Sequence, residues 1–368
     1  MISGYATPEG TAGFAKAHAG VAPNHFKIFE GLTLSSIGIG TYLGNADDAT
    51  DIQVKEAIVK SVSLGTNVID TAINYRAQKA ERAVGRSVAH LIEKGKARRD
   101  QLFISTKNGY ITNDGDVKED FWQSIQNDLV KPGIIKSGDI SSGYHCMTIP
   151  FLQDQLDRSL RNMGLETVDL MYIHNSAEGQ LQDITRDEFM ERLERVFEFY
   201  EDRRKSGKLR YYGMATWDCF RVPEGHQMHL SLFDISRLAL RAGGPHNGFK
   251  FIQLPYNMYY DQALKLKNQV EDGRPWTILE AAKNLGIGVF SSVPLMQARL
   301  LAPNVIPSFG NMSKASHRAI QFVRSTPGII APLVGQKSAS HVDENLEVAR
   351  TPVMGEDEFS SLISSLSK

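Results

Sequence analysis

The sequence predicts a (β/α)8 barrel of the TIM type, with an N-terminal hairpin and long loops at the carboxyl ends of its strands. Three observations lead there. Eight short apolar runs alternate with segments of helical periodicity, a pattern that builds a parallel sheet with helical crossovers. Several of the runs end in an ionisable residue, as strands do when they deliver side chains to the carboxyl-terminal face of a barrel. The competing fold, an open doubly wound sheet, requires a glycine fingerprint that opens a helix after its first strand. Residues 38–44 (GIGTYLG) lack both the helix and the acidic residue that should follow about twenty positions on.

Taken in order, residues 1–25 read as a glycine- and alanine-rich N-terminal extension with a short helix over 12–19, and 26–368 as one domain. Residues 26–35 (FKIFEGLTLS) form a hairpin turning at Glu30-Gly31. Barrel strands are expected at 37–42, 67–71, 102–107, 168–174, 211–215, 251–254, 288–292 and 329–334. Between them lie helices over 54–64 (closed by Gly65), 79–93, 150–163 (stopped by Gly164), 186–205, 232–242, 275–284 and 315–325. A further helix opens near His341 and another covers 355–366. The segment 108–148 is rich in Gly, Asp and Ser and holds at most one short helix, near Phe121. A loop this long inside a compact domain is usually functional.

Composition sets outer bounds. The 368 residues are 42% hydrophobic and 23% charged, ordinary for a globular chain, and 41 basic against 42 acidic residues give a net charge of −1. No global field favours nucleic acid or an anionic membrane, and no apolar run is long enough to span a bilayer. The basic clusters at 94–99 and 203–210 are expected to meet solvent at helix ends. Two cysteines, Cys146 and Cys219, build neither a disulfide framework nor a four-thiolate site, and the cytoplasm is the expected compartment. His226 and His229 (H-x-x-H) fall in a polar loop without companion ligands, so no metal site is expected.

Four polar residues concentrate the chemistry. Asp70 closes the run NVIDT, Tyr75 follows one short loop later, Lys107 closes FISTK and His174 closes LMYIH. Carbonyl reduction needs a hydride donor and an acid for the developing alkoxide. A phenol is a weak acid at neutral pH, a neighbouring ammonium lowers its pKa, and a buried carboxylate keeps that ammonium charged and aimed. A neutral histidine can hold the substrate oxygen. Tyr144 and His145, in the long segment, are read as solvent-facing, with approach to the pocket as the alternative.

These residues, with Gly38-Ile39-Gly40-Thr41-Tyr42, Ile69-Asp70-Thr71-Ala72, Ser105-Thr106-Lys107, Val168-Asp169-Leu170, Gly207-Lys208-Leu209-Arg210 and Val334-Gly335-Gln336-Lys337-Ser338, resemble the aldo/keto reductase family over nearly the whole chain. The resemblance implies a barrel enzyme that binds an extended nicotinamide cofactor, NADPH with NADH possible, and acts on a small carbonyl or alcohol. It makes Tyr75 the general acid, tuned by Lys107 and Asp70, with His174 orienting the substrate. For the cofactor it implies Thr41 and Asp70 among the contacts, Thr216 and Gln253 on the nicotinamide carboxamide, and Phe290 stacked on the nicotinamide ring. Ser291 and residues 295–297 would follow the pyrophosphate, Gly335 and Lys337 with His341 the 2′-phosphate, and Glu344 and Asn345 the adenine. Two departures stand out: Ala215 replaces a serine before Thr216, and an arginine frequent near His341 is missing. Some relatives are cofactor-bound regulatory subunits, which is the alternative reading.

Overall fold

The structure, a computed structural model, describes residues 1–366. It begins with helix α1 (Pro8–Ala17) and a hairpin of β1 (Phe26–Phe29) and β2 (Leu32–Ser35). Next come β3 (Gly38–Gly40), α2 (Asp48–Ser63), β4 (Val68–Asp70), α3 (Lys79–Glu93) and β5 (Phe103–Asn108). After a long excursion containing α4 (Phe121–Ile125) follow α5 (Ile149–Met163), β6 (Val168–His174), α6 (Ser176–Gln180), α7 (Arg186–Lys205) and β7 (Leu209–Ala215). The second half holds α8 (Leu232–Gly243), β8 (Phe249–Pro255), α9 (Gln262–Lys265), β9 (Gln269–Glu271), β10 (Arg274–Trp276), α10 (Ile278–Leu285) and β11 (Gly288–Ser292). It ends with α11 (Ala315–Ser325), β12 (Ile329–Gly335), α12 (Ala339–Leu346) and α13 (Glu356–Leu366).

Strands β3 to β8, β11 and β12 close into a parallel barrel in the order β11-β12-β3-β4-β5-β6-β7-β8. Alternation along each strand divides the core in two. Inward residues fill the barrel: Phe103, Phe251 and Phe290 pack ring on ring at 5.4 to 6.0 Å, with Leu170 and Tyr172 alongside. Outward residues meet the helices, as Leu152, Leu156, Leu160 and Met163 do from one face of α5. That helix ends on Gly164 in the left-handed region (φ 65°), as its sequence predicts.

The hairpin and residues 1–25 cover the amino-terminal end of the barrel. Phe29 meets Phe251 at 5.0 Å, and Leu32 and Leu34 join the interior cluster. Helix α1 starts earlier than expected, at Pro8, because Thr7 caps it through Gly10 N–H. The buried Asp169 fixes this end: Oδ1 accepts from Ala6 N–H (2.6 Å), and Oδ2 from Ile104 N–H (2.8 Å) and Arg99 (2.7 Å). Arg99 is therefore buried in an ion pair rather than solvated, against the expectation for the basic run 94–99.

Two other expectations change. Helix α2 begins at Asp48, six residues before the apolar periodicity starts, because Asp47 caps it through Thr50 N–H. The helix expected over 275–284 is a hairpin followed by a shorter helix. Asp272 (φ 50°) and Gly273 (φ 72°) both take the left-handed conformation that a tight two-residue turn needs, which pairs β9 with β10. Thr277 and Glu280 then form a capping box that starts α10.

Buried histidines make the fold acid-sensitive. Burial and the Arg324 charge hold His25 down to about 3, and burial holds His145 down to about 4. Their unfolded forms titrate near ~6.5. Below that pH the unfolded chain binds protons that the folded chain refuses, so stability is full above pH ~6.5 and falls as pH is lowered toward ~4. The two together should remove about 3 kcal/mol between pH 6.5 and 5, seen as a lower urea midpoint at pH 5. An unchanged midpoint would contradict their neutral burial.

Candidate active site

The carboxyl end of β4 places Asp70 beside Ser105 of β5, and the next inward residue on β5 is Lys107. Lys107 is fully buried, its Nζ donating to Asp70 Oδ2 at 2.5 Å and to the Thr71 carbonyl at 2.8 Å. Ser105 Oγ and Gln253 Nε2 donate to Asp70 Oδ1 at 2.8 and 2.9 Å. Burial works against the Lys107 charge, but the Asp70 carboxylate and Tyr75 outweigh it and hold its pKa above the usual lysine value.

Tyr75 lies above this pair. The Lys107 ammonium is 4.7 Å from its ring centre, His174 is 5.8 Å away ring to ring, and Tyr42 is 5.0 Å away. Burial pushes the Tyr75 phenol above its ordinary pKa, more strongly than Lys107 pulls it down. The sequence leads one to expect the ammonium to dominate; burial outweighs it, and Tyr75 stays protonated at neutral pH.

The turn after Tyr75 is strained, with Arg76, Ala77 and Gln78 all at positive φ (50°, 50° and 72°). Surrounding contacts over-determine it. Arg76 donates to Asp51 at 2.5 Å, and Asp51 also receives Arg86 at 2.7 Å and lies 3.4 Å from Lys79. Gly115, in the long segment after β5, donates its N–H to the Ala77 carbonyl at 2.9 Å.

His174 ends β6. Burial and the Lys107 charge hold its pKa well below the usual range, so the imidazole is neutral, and its buried Nδ1 has no protein partner among the described residues. Behind it stands His145, fully buried rather than solvent-facing. Its Nε2 is 2.8 Å from the His174 carbonyl and its Nδ1 is 3.2 Å from Gln180 Nε2. Since the amide must donate, the proton sits on Nε2. Only glycine fits at 109: φ is 119°, and a Cβ would lie 2.4 Å from His145 Nε2. Tyr144 is exposed, beside Trp122.

A cleft of about 700 Å³ opens over these residues. Of the expected cofactor residues, Thr41, Asp70, Thr216, Gln253, Gly335, Lys337, His341, Glu344 and Asn345 line it. Thr216 Oγ1 is buried beside the Cys219 thiol, with no nitrogen or oxygen partner among the described residues. Gly335 and Lys337 lie where β12 passes into α12, with Ser338 capping that helix through His341 N–H. Phe290 and Ser291 lie outside the wall. Phe290 faces inward but one layer below the cleft, against Phe251, and Ser291 faces outward, its Oγ donating to the Tyr256 carbonyl at 2.7 Å. Ser292, two residues beyond Phe290 on the same face, is the one that reaches the cleft. Sequence reasoning also missed Asn74, Tyr110 and Asn175 in the wall.

Among the described residues no group of three His, Cys, Asp or Glu side chains could hold a metal ion. His229, expected on a surface loop, is buried with its Nε2 2.7 Å from the Asn268 carbonyl. No helix is long and apolar enough to cross a membrane.

A statistical model of the Aldo/keto reductase family matches residues 36–366. The chain belongs to the aldo/keto reductase family. This family member is 27% identical over 293 residues to a protein of Escherichia coli (strain K12) described as L-glyceraldehyde 3-phosphate reductase. That match covers 78% of this chain and 66% of the relative, so the chain spans just under two thirds of the relative's length. It is 24% identical over 197 residues to Aldo-keto reductase AKR2E4 of Bombyx mori, covering 53% of this chain and 51% of the other. Among solved structures it resembles an aldo/keto reductase from Klebsiella pneumoniae in complex with NADP and acetate (TM-score 0.58, 18% identity, 94% and 95% covered). It also resembles a Bacillus halodurans aldo-keto reductase in its holo form (TM-score 0.58, 17% identity, 92% and 95% covered). At such identities the structural likeness is one of fold.

Proposed function

We propose that this member of the aldo/keto reductases is an NADP(H)-dependent oxidoreductase that reduces an aldehyde, ketone or sugar carbonyl to the alcohol, or runs the reverse oxidation. One observation carries the reading most directly: a phenol held protonated in a cleft, 4.7 Å above a buried lysine that is itself 2.5 Å from a buried carboxylate. Family membership and the NADP named for the Klebsiella protein support it.

The residues present suit a nicotinamide dinucleotide. Thr216 brings a buried hydroxyl to the cleft wall, with no nitrogen or oxygen partner among the described residues, suited to a carboxamide. The amino terminus of α12, with Lys337 beside it, suits a phosphate, and His341, Glu344 and Asn345 continue the wall from there. Gln253 spends one amide hydrogen on Asp70, so its place near the carboxamide is shared with a structural task. When bound, the cofactor supplies the hydride. Tyr75 then delivers its hydroxyl proton to the carbonyl oxygen as charge develops there. Lys107, held charged by Asp70, stabilises the phenolate left behind. Neutral His174 orients the same oxygen by donating a ring N–H, and His145 holds the His174 carbonyl and so the strand end that carries the ring. Tyr75 is protonated at neutral pH, so its proton is available in the reductive direction, and the Lys107 charge beneath it opposes the weakening of this acid by burial.

A fluorescence titration with NADPH and NADH, followed by a panel of carbonyl substrates, tests the reading; absence of binding to both would reject it. Lys337→Ala should weaken NADPH on the order of tenfold more than NADH, the scale of one charge-assisted phosphate contact. Equal loss for both cofactors would place 2′-phosphate recognition elsewhere.

A further inference from the structure

We infer that the long segment between β5 and α5 is a positioning strap. It holds the turn behind Tyr75 at one point and the strand end behind His174 at another, and so sets how the phenol and the imidazole face one carbonyl oxygen. The inference rests on the reductase reading above and adds Arg82, Asp114 and His145 to it as positioning residues.

The segment lies beside the cleft rather than over it. Among its described residues only Tyr110 lines the cleft wall. Its two ends pair with each other where it leaves and rejoins the barrel. Ile111 N–H donates to the Tyr144 carbonyl and Cys146 N–H to the Gly109 carbonyl, both at 2.9 Å, with Tyr110 opposite His145. Gln155 of α5 pins this short ladder, its Oε1 accepting from Gly109 N–H and its Nε2 donating to the Tyr110 carbonyl, each at 2.7 Å. Gly109 follows β5 directly, so the ladder hangs from the strand that carries Lys107.

From the ladder the chain reaches the Tyr75 turn. Strand β4 ends at Asp70, and its loop bonds β5 through Ile73 N–H and the Lys107 carbonyl (3.2 Å), which leaves the seat of Tyr75 to the turn that follows. Arg76, Ala77 and Gln78 hold the left-handed conformation there, which costs such residues energy unless neighbours enforce it. Residues 113–116 enforce it from one side. Gly115 N–H donates to the Ala77 carbonyl at 2.9 Å, and Gln78 Nε2 to the Asn113 carbonyl at 3.1 Å. A Cβ at Gly115 would stand 3.1 Å from that Ala77 oxygen. Further along α3, Arg82 forks onto the Asp114 carboxylate through bonds of 2.7 and 2.6 Å, and both Arg82 and Lys79 donate to Asp116. Arg82 and Asp114 are only 20% and 22% exposed, so water screens them less than an ordinary surface pair.

The returning end reaches His174. His145 donates from Nε2 to the His174 carbonyl at 2.8 Å, and a Cβ at Gly179 of α6 would stand 2.6 Å from His145. Gln180, on the same helix, is held by Arg192 at 3.0 Å and keeps its amide against His145 Nδ1. The Tyr75 and His174 rings, 5.8 Å apart, come from different strands, and the strap is bonded behind both.

The test is a double-mutant cycle read with benzaldehyde and saturating NADPH. Arg82→Met removes the fork and keeps the stem. It should lower kcat on the order of tenfold, within the ~10²-fold that a misplacement of about 1 Å can cost, with NADPH affinity held within about twofold. Placed in Tyr75→Phe, the same change should lower the remaining rate less than about twofold, because a group that acts through the hydroxyl has nothing left to act on. An equal loss in both backgrounds would make the pair merely structural, and no loss in either would detach it from the reaction; each result overturns the inference. At the other end, His145→Leu should lower kcat/KM about tenfold, and His145→Gln, whose amide still reaches the His174 carbonyl, should recover most of it. Equal rates for these two variants overturn the His145 assignment. Should no carbonyl compound turn over, the reductase reading fails, and the strap is still read by amide hydrogen exchange. Arg82→Met should then speed exchange over residues 73–80 by about tenfold or more and leave 339–346 unchanged. Unaltered exchange over 73–80 overturns the inference.

Discussion

Tyr75→Phe is expected to lower kcat for carbonyl reduction on the order of 10²- to 10⁴-fold, the usual contribution of a positioned general acid. NADPH affinity should stay within about twofold, because the change removes only the hydroxyl. The phenylalanine ring keeps the packing that Tyr75 makes with Tyr42 and His174 and leaves the Lys107–Asp70 pair intact beneath it. Stability should therefore change little, and the loss should appear in kcat rather than in cofactor binding. An equal fall in cofactor affinity would assign the hydroxyl to binding. Retained activity would remove Tyr75 from the acid role.

Lys107→Ala is expected to cost both activity and about 3 to 5 kcal/mol of stability, the range for removing one partner of a buried ion pair. Asp70 would keep its bonds from Ser105 and Gln253 but lose its counter-charge while almost fully buried. A second variant separates the two roles. Asp70→Asn combined with Lys107→Met removes both charges, and should recover much of the stability while leaving reduction near the Tyr75→Phe level. Recovery of activity together with stability would make the pair structural rather than a tuner of Tyr75. Both are read from urea midpoints and from kcat under saturating NADPH.

The barrel and its reactive end were legible because burial and period two act together. A strand buried on both faces is apolar throughout, so Asp70, Lys107 and His174 at strand ends stand out, and together they outweigh the cap, solvated-charge and structural-histidine readings that each allows alone. The structure brings them within one cluster. What escaped notice escaped for identifiable reasons. Phe290 is placed on the nicotinamide ring by the family resemblance, but the inward face of β11 runs Gly288, Phe290, Ser292, and in this structure the aromatic lies one layer below the cleft. The β9–β10 hairpin was overlooked although Asp272-Gly273 is a strong turn signal, because Pro275 also suits a first helical turn. His145 carried no periodic signal; its role arises from a contact across 29 residues that needs Gly109 to approach, a relation no local pattern displays.

The most direct test of the account supplies the enzyme with NADPH deuterated at both C4 positions and benzaldehyde, and examines the product by mass spectrometry and NMR. One deuterium is expected on the carbinol carbon of benzyl alcohol, formed at least a hundredfold more slowly by Tyr75→Phe. Unlabelled alcohol, or aldehyde recovered unchanged beside intact cofactor, would contradict hydride transfer in this cleft.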